Sequence, residues 1–115
     1  MRPIKKDSYF RSRGSVYRKW RIVCANCQTV AFDYQKDGRG PLKRAYLNRI
    51  LAPESLAALQ DQPLAANDLH ALKCESCGSV LGIPMLHWEG RLAFRLVPGQ
   101  WGKKVMSDSA KKGIR

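Results

Sequence analysis

Acidic residues are scarce in this sequence, which has nine Asp and Glu against 21 Lys and Arg and a net charge of +12. It also lacks an apolar run of transmembrane length. The basic start of the chain, from Arg2 to Lys6, has no apolar stretch behind it, which is not the pattern of a secretory signal peptide. We therefore expect a cytoplasmic protein with reduced cysteines and no membrane contact.

Residues that carry acid–base or nucleophilic catalysis are equally few. The chain has two histidines, His70 and His87, and no pairing of either with a glutamate forms a catalytic motif. No nucleophile elbow and no Ser/His/Asp order can be found, and a small-molecule substrate is not expected. The sequence predicts that the protein is not an enzyme.

The four cysteines form two C-x-x-C pairs, Cys24/Cys27 and Cys74/Cys77, separated by residues 28–73. Each pair follows a short stretch typical of a strand and is predicted to form a zinc knuckle. Two knuckles supply four thiolates, which is the tetrahedral shell of a structural zinc site. We predict one structural Zn²⁺, with a mononuclear iron site as the alternative metal. Two disulfides or a thioredoxin-like dithiol fit the pattern less well.

The predicted fold is mainly β with one or two short helices, in which small antiparallel sheets are joined by the four-cysteine zinc site. Apolar β-forming runs at 16–23, 29–35, 79–88 and 91–97 supply the strands. We expect one zinc-bound β domain at 16–101, with a helical or loop insert at about 42–68. Residues 1–15 are predicted to be a basic mobile arm and residues 102–115 a basic tail.

Around its two knuckles the chain resembles the small four-cysteine zinc proteins of the zinc-ribbon and β-tent type. These include Yippee-like proteins, Rab-exchange-factor-like zinc proteins and the zinc-bearing methionine-R-sulfoxide reductases. The stretch from Cys77 to Gly82 is similar to the one that follows the second knuckle in those reductases. The resemblance implies two small antiparallel sheets joined at zinc. It does not imply reductase activity, because the zinc site uses all four cysteines and leaves no catalytic thiol.

The positive charge is concentrated at the ends of the chain and near residues 36–44. Residues 1–22 carry eight basic side chains and one acidic one. Such a field favours a polyanion, and aromatic rings among the cations favour single-stranded nucleic acid. We predict binding to RNA in preference to DNA, or to a ribonucleoprotein surface. The predicted phosphate contacts are Arg11, Arg13, Arg18, Lys19, Arg21, Arg39, Lys43 and Arg44.

An alternative function uses aromatic residues instead of charge. Trp88 and Trp101 could line a pocket on the same scaffold, and the protein would then be a protein or small-ligand adapter. Such a surface would bind its partner with little dependence on salt, whereas phosphate contacts weaken steeply as salt rises. Large rings in a small β domain are also common core residues, which is the competing interpretation for Trp20 and Trp88. Trp101, which has glycines nearby on both sides, is the tryptophan expected to be partly exposed.

Overall fold

The computed structural model describes residues 1–87 and 90–106. In this part of the chain, eight strands form two four-stranded antiparallel sheets, with short helical segments between them, so the predicted mainly β fold is confirmed. The strands are β1 (Tyr17–Cys24), β2 (Val30–Asp37), β3 (Arg44–Tyr46), β4 (Ile50–Ala52), β5 (Leu72–Lys73), β6 (Val80–Leu86), β7 (Leu92–Leu96) and β8 (Trp101–Val105). The helices are α1 (Ser8–Ser12) and α2 (Glu54–Ala57), with 3-10 turns at Leu47–Arg49, Ala58–Asp61 and Ala66–Asp68.

The first sheet has the strand order β4-β2-β1-β8 and is built on the β1–β2 hairpin. Its two central strands are rich in aromatic and β-branched residues, which favour a pleated, half-buried surface. Trp20 pairs with Tyr34 and Ile22 with Phe32 across the hairpin. The first knuckle lies in the connection of this hairpin, between the end of β1 and the start of β2.

The second sheet has the strand order β3-β7-β6-β5. Its β5–β6 hairpin carries the second knuckle, and Lys73 pairs with Val80 on either side of it. β7 pairs antiparallel along its full length with residues 82–86 of β6, with Gly82 opposite Leu96 and Leu86 opposite Leu92. Each sheet therefore presents one knuckle at the end of a hairpin.

The core lies between the two sheets and takes side chains from both. Phe32 and Ile22 of the first sheet and Leu81 and Phe94 of the second are almost fully buried in one cluster. The segment at 42–68, predicted as an insert, contributes a three-residue strand to each sheet: β3 pairs with β7, and β4 pairs with β2. This segment therefore links the two sheets.

Residues 1–15, which the sequence predicts to be a mobile arm, contact the rest of the domain in this structure. Arg2 forms ion pairs with Glu54 and Asp61, both at 2.7 Å. Asp7 caps α1 by accepting from the Phe10 backbone N–H, and the Phe10 ring is buried. The ion pairs of Arg2 join residues 52 and 59 positions apart, which local composition does not reveal.

The other predicted boundary, at residue 101, also differs from the structure. Trp101 begins β8, and Lys103 and Lys104 pair with Ile22 and Arg21 of β1. The predicted basic tail thus supplies an edge strand to the first sheet, and residues 107–115 lie outside the described residues. Among the described residues, no helix has the length and apolar character needed to cross a bilayer.

Candidate metal centre and basic face

The four cysteine sulfurs form one compact cluster, in which all lie within 4.8 Å of one another. Cys24 Sγ is 3.6 Å from Cys77 Sγ, and Cys27 Sγ is 3.5 Å from Cys74 Sγ. Four sulfurs arranged tetrahedrally about 2.3 Å from a zinc ion would be about 3.8 Å apart. The cysteines are free thiols, and their separations greatly exceed the S–S bond length of about 2.0 Å. The cluster therefore has the dimensions of a tetrahedral four-thiolate metal site.

The two knuckles have the same backbone geometry. The N–H of Cys24 donates to the carbonyl of Thr29 at 2.9 Å, and the N–H of Cys74 donates to the carbonyl of Ser79 at the same distance. The residue after the second cysteine has positive φ in both knuckles, 67° at Gln28 and 79° at Gly78. Glycine adopts this conformation without strain, whereas glutamine is less suited to it. Two equivalent turns thus aim two thiols each at one point.

Hydroxyl side chains two residues after each knuckle contact its second sulfur. Thr29 Oγ1 lies 3.2 Å from Cys27 Sγ, and Ser79 Oγ lies 3.1 Å from Cys77 Sγ. The contact with Ser79, followed by one with Asn26, lowers the pKa of Cys77 to about 5. The side chain and then the backbone of Thr29 lower the pKa of Cys27. Thiolate is the form of cysteine that binds metal, so a lower pKa at both sulfurs favours metal binding. The sequence shows this feature as a Ser or Thr two positions after each pair.

The two histidines lie outside the cluster. His70 is exposed, and His87 is buried with its ring edge-on to Tyr46 at a centroid distance of 5.6 Å. The grouping of potential metal ligands found in the described part of the chain consists of the four cysteines alone. A site with this donor set has a closed shell, which is typical of a structural metal and not of a catalytic one.

The eight cations predicted to contact phosphate do not occupy equivalent positions. Arg11, Arg13, Arg18, Arg39 and Lys43 are exposed, and Arg44 is half-buried. Lys19 is buried at 6% exposure, so little of its side chain is open to a phosphate. Arg21 is exposed but forms a bidentate pair with Asp33, at 2.9 and 3.2 Å, which neutralises its charge.

One cavity of about 460 Å³ combines cations with aromatic rings, and we call it the tryptophan cavity. Tyr17 and Trp20 of β1 line it, and the Lys103 ammonium lies 4.4 Å from the Trp20 ring centroid. The described residues lining it include four cations and no acidic side chain: Arg18, Lys36, Arg39 and Lys103. It therefore offers both charge and ring surface.

A second cavity, of about 270 Å³, is lined by seven cations and one carboxylate, and we call it the arginine cavity. The cations are Arg13, Lys36, Arg39, Lys43, Arg44, Arg49 and Arg91, and the carboxylate is Asp37. Lys36 and Arg39 line the tryptophan cavity as well, so the two cavities adjoin. Together they form a continuous basic face.

Sequence reasoning missed two buried arginines in the wall of the arginine cavity. Arg49 is 1% exposed and donates to Asp7 at 2.6 Å and to Asp37 at 2.7 Å. Burial lowers the pKa of its guanidinium, but the bonds to the two carboxylates outweigh burial and raise it. Burial likewise opposes ionisation of Asp7, but the bonds from Arg49 and from the Phe10 N–H lower the pKa of Asp7 to about 2. The carboxylate thus remains charged.

Arg91 is the second of these arginines and lies between two aromatic rings. Its guanidinium carbon is 3.9 Å from the Tyr9 ring centroid and 3.8 Å from that of Tyr46. It also donates to the Asn48 side-chain oxygen at 3.0 Å. An arginine stacked between two rings is held in one orientation, with its charge kept near the cavity.

Of the two tryptophans predicted to line an aromatic pocket, the structure describes only Trp101. Trp101 is half-buried, pairs with Cys24 across β1 and β8, and packs against the core. Trp88 lies outside the described residues. The aromatic pocket of the adapter hypothesis therefore stays a prediction.

The fold and the cluster define a class: a small, mainly β protein whose two sheets each present a cysteine pair to one potential metal site. No protein-family model matches this chain, and no curated protein and no solved structure is significantly similar to it. The resemblance to zinc-ribbon and β-tent proteins therefore stays a prediction.

Proposed function

We propose that this protein is a zinc-stabilised module that binds single-stranded RNA, or an RNA surface of a ribonucleoprotein, through its basic face. The metal would be a single Zn²⁺ held by Cys24, Cys27, Cys74 and Cys77. It would supply a link between the two sheets and no chemistry on a substrate, since four thiolates leave no open position. We infer binding and not catalysis, because the thiols needed for a reductase are drawn into the cluster.

The observation that carries the RNA proposal is the pair of adjoining cavities. In the tryptophan cavity, rings of Tyr17 and Trp20 lie beside Arg18 and Lys103. Single-stranded nucleic acids are bound by this combination, because cations meet the phosphates while rings offer their faces or edges to bases. Positive charge distributed evenly over the surface would increase solubility, but it would not define a binding site.

The test is a titration of a fluorescent mixed-sequence RNA of about 12 nucleotides, followed by anisotropy at several salt concentrations. We expect binding at about 50 mM salt and a steep loss of affinity by about 200 mM. Arg18→Glu should weaken binding and reduce the slope of log affinity against log salt by about 0.7 or more, the contribution of one phosphate contact.

The matched control is Lys73→Glu, which changes a single exposed lysine on β5 of the second sheet, outside both basic cavities. Its charge change is the same, so it should weaken binding much less if the basic face is the interface. Equal weakening by both variants would contradict the proposed face, and no binding at about 50 mM salt would contradict RNA binding altogether.

A further inference from the structure

We propose that the arginine cavity binds the terminal phosphate of an oligonucleotide, a phosphomonoester at one end of the RNA chain. This inference rests on the proposed function and assigns one of the two cavities a ligand group. The cavity lies beside the loop at 38–43, between the end of β2 and the start of β3, and takes residues from both strands.

Four of the cations that line the cavity have no side-chain partner among the described residues. They are Arg13, Arg39, Lys43 and Arg44, and the hydrogen bonds and ion pairs of residues 1–87 and 90–106 include none from their side chains. Their charge is therefore available to an anion. Burial, followed by the charge of Arg13, lowers the pKa of Lys36, as expected of an amine in a region with excess positive charge.

Arg44 provides the most specific indication of a ligand. Its Nε is buried and has no hydrogen-bond acceptor in the described structure. A buried donor without an acceptor is unfavourable, and Arg Nε commonly bonds to an oxygen of phosphate or carboxylate. β3 holds this residue in place through its pairing with β7, where Arg44 lies opposite Arg95. A phosphate bound in the cavity, which Arg44 lines, would lie beside this unpaired guanidinium.

The rest of the wall is held in place by contacts that do not involve a ligand. Arg49 is fixed by Asp7 and Asp37, and Arg91 by the rings of Tyr9 and Tyr46. The Lys36 ammonium donates to the carbonyl of Arg39 at 3.3 Å, which ties the loop to the end of β2. A wall ordered in advance loses little freedom on binding, which favours affinity for a small group.

The charge of the cavity favours the end of a chain over an internal phosphate, and its volume is that of one small group. A volume of about 270 Å³ lies just below the range of about 300–1,000 Å³ for cavities that enclose drug-sized ligands. It therefore suits a phosphate with its sugar. One carboxylate among seven cations leaves a large excess of positive charge, which matches a phosphomonoester dianion better than a phosphodiester monoanion. The adjoining tryptophan cavity would receive the following nucleotide.

The experiment compares three RNAs of one sequence, carrying a 5′-phosphate, a 3′-phosphate or hydroxyls at both ends, by anisotropy at about 0.1 M salt. We expect either the 5′-phosphorylated or the 3′-phosphorylated RNA, according to the end that enters the cavity, to bind about tenfold more tightly than the hydroxyl-ended RNA. Inorganic phosphate, added against chloride at equal ionic strength, should reduce that advantage. If it instead leaves the advantage intact while a nucleoside monophosphate removes it, the cavity recognises the sugar together with the phosphate.

Two variants test the assignment, Arg44→Gln and Lys43→Gln, and both should abolish the advantage of the phosphorylated RNA. Lys104→Gln is the control, because Lys104 is an exposed lysine on β8 outside the arginine cavity and its change of charge is identical to that of Lys43→Gln. It should retain the advantage. The exposed position of Lys43 keeps the test valid even if Arg44→Gln fails to fold.

Two results would overturn the inference, and they can be told apart. If all three RNAs bind equally and with strong salt dependence, the cavity has no role in end recognition but RNA binding stands. If none binds at low salt, the proposed function fails and the cavity assignment fails with it.

Discussion

The hydroxyl of Tyr34 accepts a hydrogen bond from the backbone N–H of Tyr46 at 2.8 Å, and this bond joins the two sheets. Tyr34 belongs to β2 of the first sheet, and Tyr46 to β3 of the second. The same hydroxyl donates to the carbonyl of Arg44 at 3.3 Å. Burial raises the pKa of Tyr34, so the hydroxyl remains protonated and able to donate. One phenol thus fixes β3, and with it Arg44, relative to β2.

Replacing Tyr34 with phenylalanine should lower the free energy of unfolding by about 1–3 kcal/mol, because the Tyr46 N–H would remain buried without its acceptor. Urea denaturation followed by circular dichroism measures the change. Tyr17→Phe is the matched control, since the Tyr17 hydroxyl has no partner among the described residues, and it should change stability by less than about 0.5 kcal/mol. Equal effects from the two variants would show that the bond to Tyr46 contributes nothing.

Removing the metal should abolish cooperative folding. Structural zinc contributes about 10–16 kcal/mol to the folding of small domains, as much as their whole stability of about 5–15 kcal/mol. We expect one zinc ion per chain by elemental mass spectrometry, and loss of the thermal transition after chelation. Cys74→Ser should have the same effect, whereas Ser76→Ala, which changes a non-ligand in the same knuckle, should leave metal content and melting unchanged. Iron in place of zinc, or a transition that survives complete removal of metal, would contradict this expectation.

Asp7→Ala should destabilise the protein by about 2 kcal/mol at pH 7, through loss of the α1 cap and of one carboxylate from Arg49. The second contribution is reduced by solvent, because the Asp7 side chain is 38% exposed. The pKa of Asp7 falls from 3.8 to about 2 on folding, so its ionic contribution is complete above about pH 4 and is lost as the pH falls through 2.

The control for Asp7 is Asp61→Ala. Asp61 also pairs with an arginine, Arg2, but its side chain is 62% exposed and that of Arg2 is 22% exposed. An exposed pair of this kind contributes little to stability, because solvent screens it. Chemical denaturation of both variants at pH 7 should therefore separate them by about 1 kcal/mol or more. An Asp61 variant as unstable as the Asp7 variant would show that burial of Arg49 does not matter.

Two strand glycines should respond oppositely to alanine. A Cβ on Gly82 would lie 2.9 Å from the Cβ of Phe94, too close for a real contact, so Gly82→Ala should destabilise by about 1–3 kcal/mol. A Cβ on Gly102 would lie 3.7 Å from Val23 Cγ2, an ordinary contact, and Gly102→Ala should be neutral or stabilise by up to about 1 kcal/mol. Thermal melts of the two variants test the predicted order, and a Gly82 variant at least as stable as the native protein would contradict it.

The knuckles and the mainly β fold could be predicted because their determinants are local. The two cysteines of each pair are three positions apart, and the β-forming runs around Ile22, Phe32 and Phe94 are continuous in sequence. Two strands that are joined by a short turn then pair with each other as an antiparallel hairpin. This is why the cysteine cluster and the mainly β fold follow from pattern alone.

The contacts that complete the basic face could not be predicted, because they join distant residues with no shared pattern. Arg49 meets Asp7, 42 positions away, and Arg91 meets Asn48, 43 positions away. A buried arginine looks the same in sequence as an exposed one. The strands β3 and β4 are only three residues long, so neither shows a hydrophobic period, and their assignment to different sheets depends on tertiary packing.

The attachment at Tyr34 and the cysteine cluster lie at different points along one strand. Tyr34 is four positions beyond Val30, where β2 leaves the first knuckle, a separation of about 13 Å along an extended backbone. With a metal bound to the cysteines, two attachments spaced in this way would resist rocking of the two sheets about the core that they share. A flexible polyanion that spans the basic face would therefore have to adopt the contour of the protein, and the conformational cost of docking would fall on the ligand.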